Sequence, residues 1–238
     1  MGFALIGSML SAQTQIIAHR GFWQTGNTAQ NSLESLRNAG ELKVYGSEFD
    51  VRMTKDHKLV ILHDPDLHDI EIIETPFKVA RKLKLKNGEK LPTLSSYLKL
   101  WKKYPDLKLI LEIKPAKTPE LETILVEKAI QEVEAKGVKS QTEFISFSLH
   151  ICKEIVKRDP LAMVQYLGGE VSPSELKKLG IKGLDYHYNV FSKNPEWIKE
   201  AKELGMVTNS WTVNDPEVFQ RLKELNIDFI TTDTPDKF

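Results

Sequence analysis

A single cysteine, Cys152, is all the sulfur chemistry this sequence holds besides methionine, which excludes an intrachain disulfide and leaves the redox compartment open. Charge of one sign is also missing: 33 basic side chains balance 33 acidic ones, for a formal net charge of zero. Non-specific nucleic-acid binders carry a basic excess, so nucleic acid is not an expected partner. Long hydrophobic runs are absent too. "FALIGSML" at residues 3–10 is too short to cross a bilayer, and no stable membrane insertion is expected. Followed by "SAQTQ", it resembles the end of a secretory signal with a small-residue cleavage site, although no Lys or Arg precedes it. Read as a signal remnant, residues 1–12 put the protein in the periplasm or outside the cell. Read as a segment packed on the domain, they leave it in the cytoplasm. Finally, no Gly-rich phosphate loop follows the first apolar run, which disfavours an open doubly wound sheet.

What is present is an ordinary globular composition, 41% hydrophobic and 28% charged over 238 residues. A chain of this length buries roughly 70–75% of its unfolded surface without staples. Nine short apolar runs alternate with amphipathic stretches: "IIAH", "SEFDV", "LVILH", "LKLILEIK", "EFISFS", "AMVQYL", "GLDYHY", "VTNSWTV" and "DFITT". Intervening segments such as "PSELKKLG" and "DPEVFQRLKELN" open on Pro or a cap residue and close on Gly or Asn, as helices do. A parallel crossover needs about a dozen residues, and "RMTKDHK" between the second and third runs is too short. Those two runs therefore pair as a hairpin, leaving eight parallel strands. The spacing predicts a (β/α)8 TIM-type barrel with a β-hairpin after strand 2, a single catalytic domain over 15–238 behind an N-terminal segment, 1–14. The irregular stretch 64–92, with the basic "KVARKLKLKNGEK", is expected to cover one end.

Side chains two apart on a strand share a face. Glu48 and Asp50 therefore point one way, with Phe49 and Val51 opposite; Glu112 and Lys114 repeat the pattern in "LEIK". Both pairs sit toward the C-terminal ends of their strands, where barrel active sites are built. Three carboxylates in one mouth repel and lose hydration costing several kcal/mol each. A cation would offset that, and an all-oxygen set favours Mg²⁺ or Ca²⁺ over zinc. The competing reading, structural ion pairs with Lys and Arg, suits a lone strand carboxylate better than this grouping. His19 ends the first strand in "HRG", and His63 ends the hairpin's return strand. Two histidines suit a general acid and a general base, and Arg20 with Lys114 suits a phosphate. Cys152 lies at helical spacing and reads as core packing.

"HRG", "QNS", "SEFDVRMTKD", "VILHD", "LPTL", "LEIK" and "SWTVND", in this order from about residue 16 to the C-terminus, resemble the glycerophosphodiester phosphodiesterase family, whose barrel is related to that of phosphatidylinositol-specific phospholipase C. The resemblance implies that His19 and His63 are the acid–base pair. It implies Glu48, Asp50 and Glu112 as ligands of one divalent cation, and Arg20 and Lys114 as phosphate contacts. Trp211, at the seventh strand's end, would pack on the glycerol carbons. The implied reaction is hydrolysis of a small-molecule glycerophosphodiester to sn-glycerol 3-phosphate and an alcohol, in lipid and glycerol metabolism. Alternatives are a lysophospholipase D-like or cyclising phosphodiesterase, or a catalytically weak phosphodiester-binding protein. One departure stands out: the family's "PENT" is here "AQNS" (29–32). Asn31 with Glu34 reads as a capping box for the helix "SLESLRNAG", and the lost acid, now Gln30, falls beside His19. Phe22 and Trp23 are candidates for the mouth lining. Asp64 has no expected role beyond orienting its loop.

Overall fold

The computed structural model describes residues 13–238; the signal-remnant reading of residues 1–12 lies outside them. In chain order the strands are β1 (Gln15–Ala18), β2 (Gly46–Met53), β3 (Leu59–Ile61), β4 (Asp66–Leu67), β5 (Ile70–Glu71), β6 (Lys108–Ile113), β7 (Thr142–Ser146), β8 (Met163–Tyr166), β9 (Gly183–His187), β10 (Val207–Trp211) and β11 (Phe229–Thr232). Parallel pairing runs β1-β2-β6-β7-β8-β9-β10-β11 and returns to β1, closing an eight-stranded barrel. β3 pairs antiparallel with β2, Val51 opposite Ile61. The hairpin after strand 2 thus stands where the short connection requires it.

The helices are α1 (Leu33–Leu42), α2 (Phe77–Ala80), α3 (Leu94–Trp101), α4 (Pro119–Ala135), α5 (Leu149–Arg158), α6 (Pro173–Lys178), α7 (Tyr188–Lys193), α8 (Glu196–Glu203) and α9 (Pro216–Glu224). Their starts are written in the sequence. Thr118 caps α4 ahead of Pro119, Thr93 and Ser96 form a capping box on α3, and Asp215 caps α9 ahead of Pro216. For α1 the cap is Ser32, whose hydroxyl accepts from the Ser35 amide, and not the expected Asn31. Asn31 takes a left-handed backbone, φ 60°, and turns its side chain toward the barrel mouth.

Strand alternation sorts the side chains into two layers. Phe49, Val51, Leu109, Leu111, Ile113, Leu184 and Tyr186 face outward into the cluster shared with the helices. Each such side chain contributes about 1.5–3 kcal/mol when fully buried. Ile17, Ile110, Ile145 and Leu167 form a smaller apolar layer with Tyr45, Trp211 and Phe229. The stretch 64–92 is less irregular than its sequence suggests. It folds the β4–β5 hairpin, a 3₁₀ turn (Ile72–Glu74) and α2, over an apolar cluster that includes Val60, Leu62, Ile72, Ala80, Leu85 and Leu91. These elements are too short to display a period, which is why they read as loop. Among the described residues no helix is long and apolar enough to cross a membrane.

Candidate active site

The first mouth element is the "HRG" turn after β1. Arg20 (φ 56°) and Gly21 (φ 75°) both take left-handed backbone. At Gly21 glycine is required: a Cβ there would meet Ser35 Oγ at 2.4 Å. The reversal aims the Arg20 amide at Glu48 Oε2, 2.7 Å away, and the Gly21 amide at the Glu48 carbonyl, 3.1 Å away. His19 Nδ1 lies 2.7 Å from Asp233 Oδ1, and His19 Nε2 is 4.0 Å from Glu48 Oε2.

Register places Asp50 of β2 directly against Glu112 of β6. With Glu48 they present ligand oxygens all within 4.8 Å of one another, and all three residues are buried. Asn31 grips Asp50 from both ends: Nδ2 donates to Oδ2 at 2.7 Å, and Oδ1 accepts the Asp50 amide at 3.1 Å. Lys114 Nζ reaches Asp50 Oδ1 at 3.2 Å and Glu112 Oε1 at 2.7 Å. Among the described residues Glu48 Oε1 has no hydrogen-bond partner. The arrangement is short of positive charge. Burial, and then the Asp50 charge, pushes Glu112 up to about 7, and Glu48 is driven well above the usual carboxylate range for the same reasons. Burial alone would raise Asp50 as well, but Lys114, His63 and Arg20 pull it down to about 2. An all-oxygen, buried, under-neutralised triad with an orphaned oxygen fits a hard divalent cation.

The hairpin delivers His63 to the same mouth. Arg52 Nε and Nη2 both donate to the His63 carbonyl, at 2.9 and 2.6 Å, which anchors the end of the return strand. His63 Nδ1 lies 2.7 Å from Asp64 Oδ1, so Asp64 partners the imidazole instead of merely shaping the loop. Burial, the largest influence, holds the His63 imidazole below its ordinary value. Both histidines therefore carry an aspartate at Nδ1, an arrangement that orients the ring and leaves Nε2 for chemistry. Gln30, in the "AQNS" departure, accepts from Arg20 Nη1 at 2.7 Å. It braces the arginine, and the acid beside His19 is Asp233.

His19, Arg20, Glu48, His63, Glu112, Lys114 and Trp211, with Asp185 and Phe147, line one cavity of about 110 Å³. Asp50 does not join that lining; it is 1% exposed and held by Lys114. Trp211 Nε1 donates to the Asp185 carbonyl at 2.9 Å, and its ring meets Phe147 edge-on at 5.3 Å. A second cavity, about 230 Å³, is lined by Trp23, Gln30, Asn31, His63, Asp64 and Lys86 among others. His63 lines both. The remaining histidines line neither cavity: His57 is exposed in the hairpin turn, His68 Nε2 lies 2.8 Å from the Lys84 carbonyl, His150 bonds Thr123, and His187 caps α7 with its ring edge-on to Trp211 at 5.1 Å. Cys152 is fully buried, as its spacing predicts.

Three residues escaped the sequence reading. Asp233 follows the last strand in "TTDT", a position that always falls at a barrel's catalytic end. Asp185 sits on a strand in "GLDYHY", with the same inward alternation that exposed Glu48 and Asp50. Asp64 was visible beside His63, but adjacency in sequence does not reveal a ring contact.

Barrel and mouth together define a class: a (β/α)8 barrel with two histidines and a clustered triad of buried acids at the C-terminal ends of its strands. The family model described as "Glycerophosphoryl diester phosphodiesterase family" matches residues 19–237. A glycerophosphodiester phosphodiesterase of Caldanaerobacter subterraneus is 28% identical over 241 residues, covering 94% of this chain and 96% of its own. The crystal structure of a glycerophosphodiester phosphodiesterase from Parabacteroides distasonis superposes with a TM-score of 0.94 at 45% identity, covering 95% of each chain. An Oleispira antarctica phosphodiesterase, crystallised in complex with the product sn-glycerol-3-phosphate, shares the fold at 24% identity and a TM-score of 0.83, covering 94% of this chain and 95% of that one. The chain belongs to the glycerophosphoryl diester phosphodiesterase family, and it is an enzyme of the phosphoric diester hydrolase class.

Proposed function

We propose that this chain, acting as one catalytic domain over 15–238, hydrolyses a glycerophosphodiester to sn-glycerol 3-phosphate and an alcohol by acid–base catalysis between His19 and His63. The observation that carries this reading is the position of His63, the one histidine lining both cavities. The smaller cavity, with Trp211 for carbon packing, takes the glycerol phosphate; the larger, beyond His63, takes the alcohol. The relative that holds sn-glycerol-3-phosphate supports the product assignment.

Glu48, Asp50 and Glu112 would hold one divalent cation, Mg²⁺ or Ca²⁺. Bound there, it supplies positive charge that neutralises the phosphoryl oxygens. Arg20 and Lys114, both beside the triad, orient those oxygens. His19, held by Asp233, takes the proton of the attacking hydroxyl, and its oxygen bonds to phosphorus. The bond from phosphorus to the alcohol oxygen breaks, and His63 returns a proton to that oxygen. Water supplies the new oxygen, directly or after the glycerol 2-hydroxyl has closed a cyclic phosphate.

The test is turnover of glycerophosphocholine and glycerophosphoethanolamine by the native chain, with and without EDTA, beside His19→Ala and His63→Ala. EDTA and either substitution should each lower kcat by a hundredfold or more, in line with roughly 10²–10⁴ for a general acid or base. Activity that survives the chelator or both substitutions sinks the mechanism. A cyclic phosphate accumulating as the end product replaces hydrolysis with a cyclising reaction.

A further inference from the structure

Asp185, inside β9, is the one carboxylate in the smaller cavity that the acid–base and cation roles leave unused. It is 1% exposed, and among the described residues its Oδ1 finds no hydrogen-bond partner. A buried polar atom without a partner costs about 1–3 kcal/mol and calls for an explanation. Asn209 is the one neighbour that hydrogen-bonds the carboxyl, and it leaves Oδ1 unsatisfied among the described residues. Asn209 and Thr231, on the next two strands, also bond each other: Asn209 Nδ2 donates to Thr231 Oγ1 at 3.0 Å, and that hydroxyl lies 3.3 Å from Asn209 Oδ1. Arg20 is committed to Gln30 and Asp50, and Lys114 to Asp50 and Glu112. Asp185 is also outside the triad whose oxygens converge within 4.8 Å.

We propose that Asp185 holds a free hydroxyl of the substrate's glycerol unit and so makes the enzyme select a polyol over a deoxygenated three-carbon alcohol. The proposal rests on the glycerophosphodiester reading above. Its chemistry follows from what the cavity offers on each side. The phosphoryl oxygens belong against Arg20 and Lys114, and a carboxylate would repel them. The carbon skeleton belongs against Trp211, whose Nε1–H is tied to the backbone carbonyl of Asp185 itself, at 2.9 Å. Ring and carboxyl are thereby set as two walls of one corner. With the phosphoryl oxygens excluded and the alcohol assigned to the larger cavity, the group left to reach Asp185 past the tryptophan is a hydroxyl of the glycerol unit. A hydroxyl fits in either protonation state of the acid, since it both donates and accepts. Burial, and then the Glu112 charge, pushes the Asp185 carboxyl well above the usual range.

A site built around a substrate hydroxyl rejects the analogue that lacks it far more strongly than an apolar pocket rejects an extra group. The experiment compares glycerophosphocholine with the analogue carrying propane-1,2-diol in place of glycerol. That analogue lacks the terminal hydroxyl and keeps the 2-hydroxyl. kcat/KM is measured for the metal-loaded native enzyme, Asp185→Asn and Asp185→Ala. The native enzyme should prefer the glycerol substrate by about a hundredfold or more. Asp185→Ala should lose most of that factor on the glycerol substrate and under threefold on the analogue, while Asp185→Asn keeps part of the preference. Because the preference is a ratio within one preparation, a partly folded variant does not disturb it. Equal losses on both substrates, or a native enzyme that does not discriminate, overturn the assignment while leaving the phosphodiesterase reading intact. No native turnover of any glycerophosphodiester overturns both.

Discussion

Asn31 is the residue whose removal tests the cation site without touching a ligand. It is 2% exposed, and it holds Asp50 through a 2.7 Å bond to the carboxylate and a 3.1 Å bond from the backbone amide. A hydrogen bond to a charged group is worth about 1.5–3 kcal/mol. At about 1.36 kcal/mol per tenfold, losing the carboxylate bond weakens cation affinity by roughly 10- to 150-fold, close to the roughly 10–100-fold known for groups that orient metal ligands. Asn31→Ala has a second effect, because alanine at φ 60° carries a left-handed penalty of about 1–2 kcal/mol. Asn31→Gly removes the amide without that penalty. Calorimetric titration of chelator-stripped protein with Mg²⁺ and with Ca²⁺ should show the affinity loss in both variants, and a lowered Tm chiefly in Asn31→Ala. If Asn31→Gly binds the cation within twofold of the native protein, the bracing role of Asn31 and the placing of the ion on Asp50 are both refuted.

Asp64→Asn should move the alkaline limb of kcat/KM to lower pH. The Asp64 bond stabilises protonated His63, so without it the acid form is lost earlier as pH rises. With side chains 38% and 71% exposed, the pair is worth about 0.2–1 kcal/mol, a shift under about 0.7 pH unit; a limb that stays or rises contradicts His63 as the acid. Gly21→Ala should destabilise by more than about 1 kcal/mol, lowering Tm by at least about 2–4 °C on calorimetry, because the added Cβ would lie 2.6 Å from the Ser35 carbonyl carbon. Cys152 should ignore a thiol-reactive dye at pH 8 in the native state. Burial pushes its thiol up to about 12, so the reactive thiolate is absent, and one equivalent should react only in denaturant; labelling of the folded protein would show the packing to be looser than this.

The sequence by itself determined the barrel, because an eight-fold strand count and one connection too short for a crossover leave few ways to close a sheet. It also determined which way Glu48, Asp50, Glu112 and Lys114 face, since period-two alternation is a local property of the strand. Proline and cap residues marked most helix starts for the same reason. What only the tertiary structure decided are contacts between segments far apart in the chain. Asp233 reaches His19 across 214 residues because β11 closes on β1. Asn31 looks like a helix cap in its own neighbourhood, yet a left-handed backbone hands that task to Ser32 and sends the amide to Asp50. Gln30 supports Arg20 and not the histidine beside which its sequence position put it. Asp185 could be placed as an inward strand carboxylate, but which of its oxygens is left without a partner depends on how Asn209 and Thr231 of the neighbouring strands bond around it. Local periodicity assigns a side chain to a face; closure of the barrel assigns it a partner.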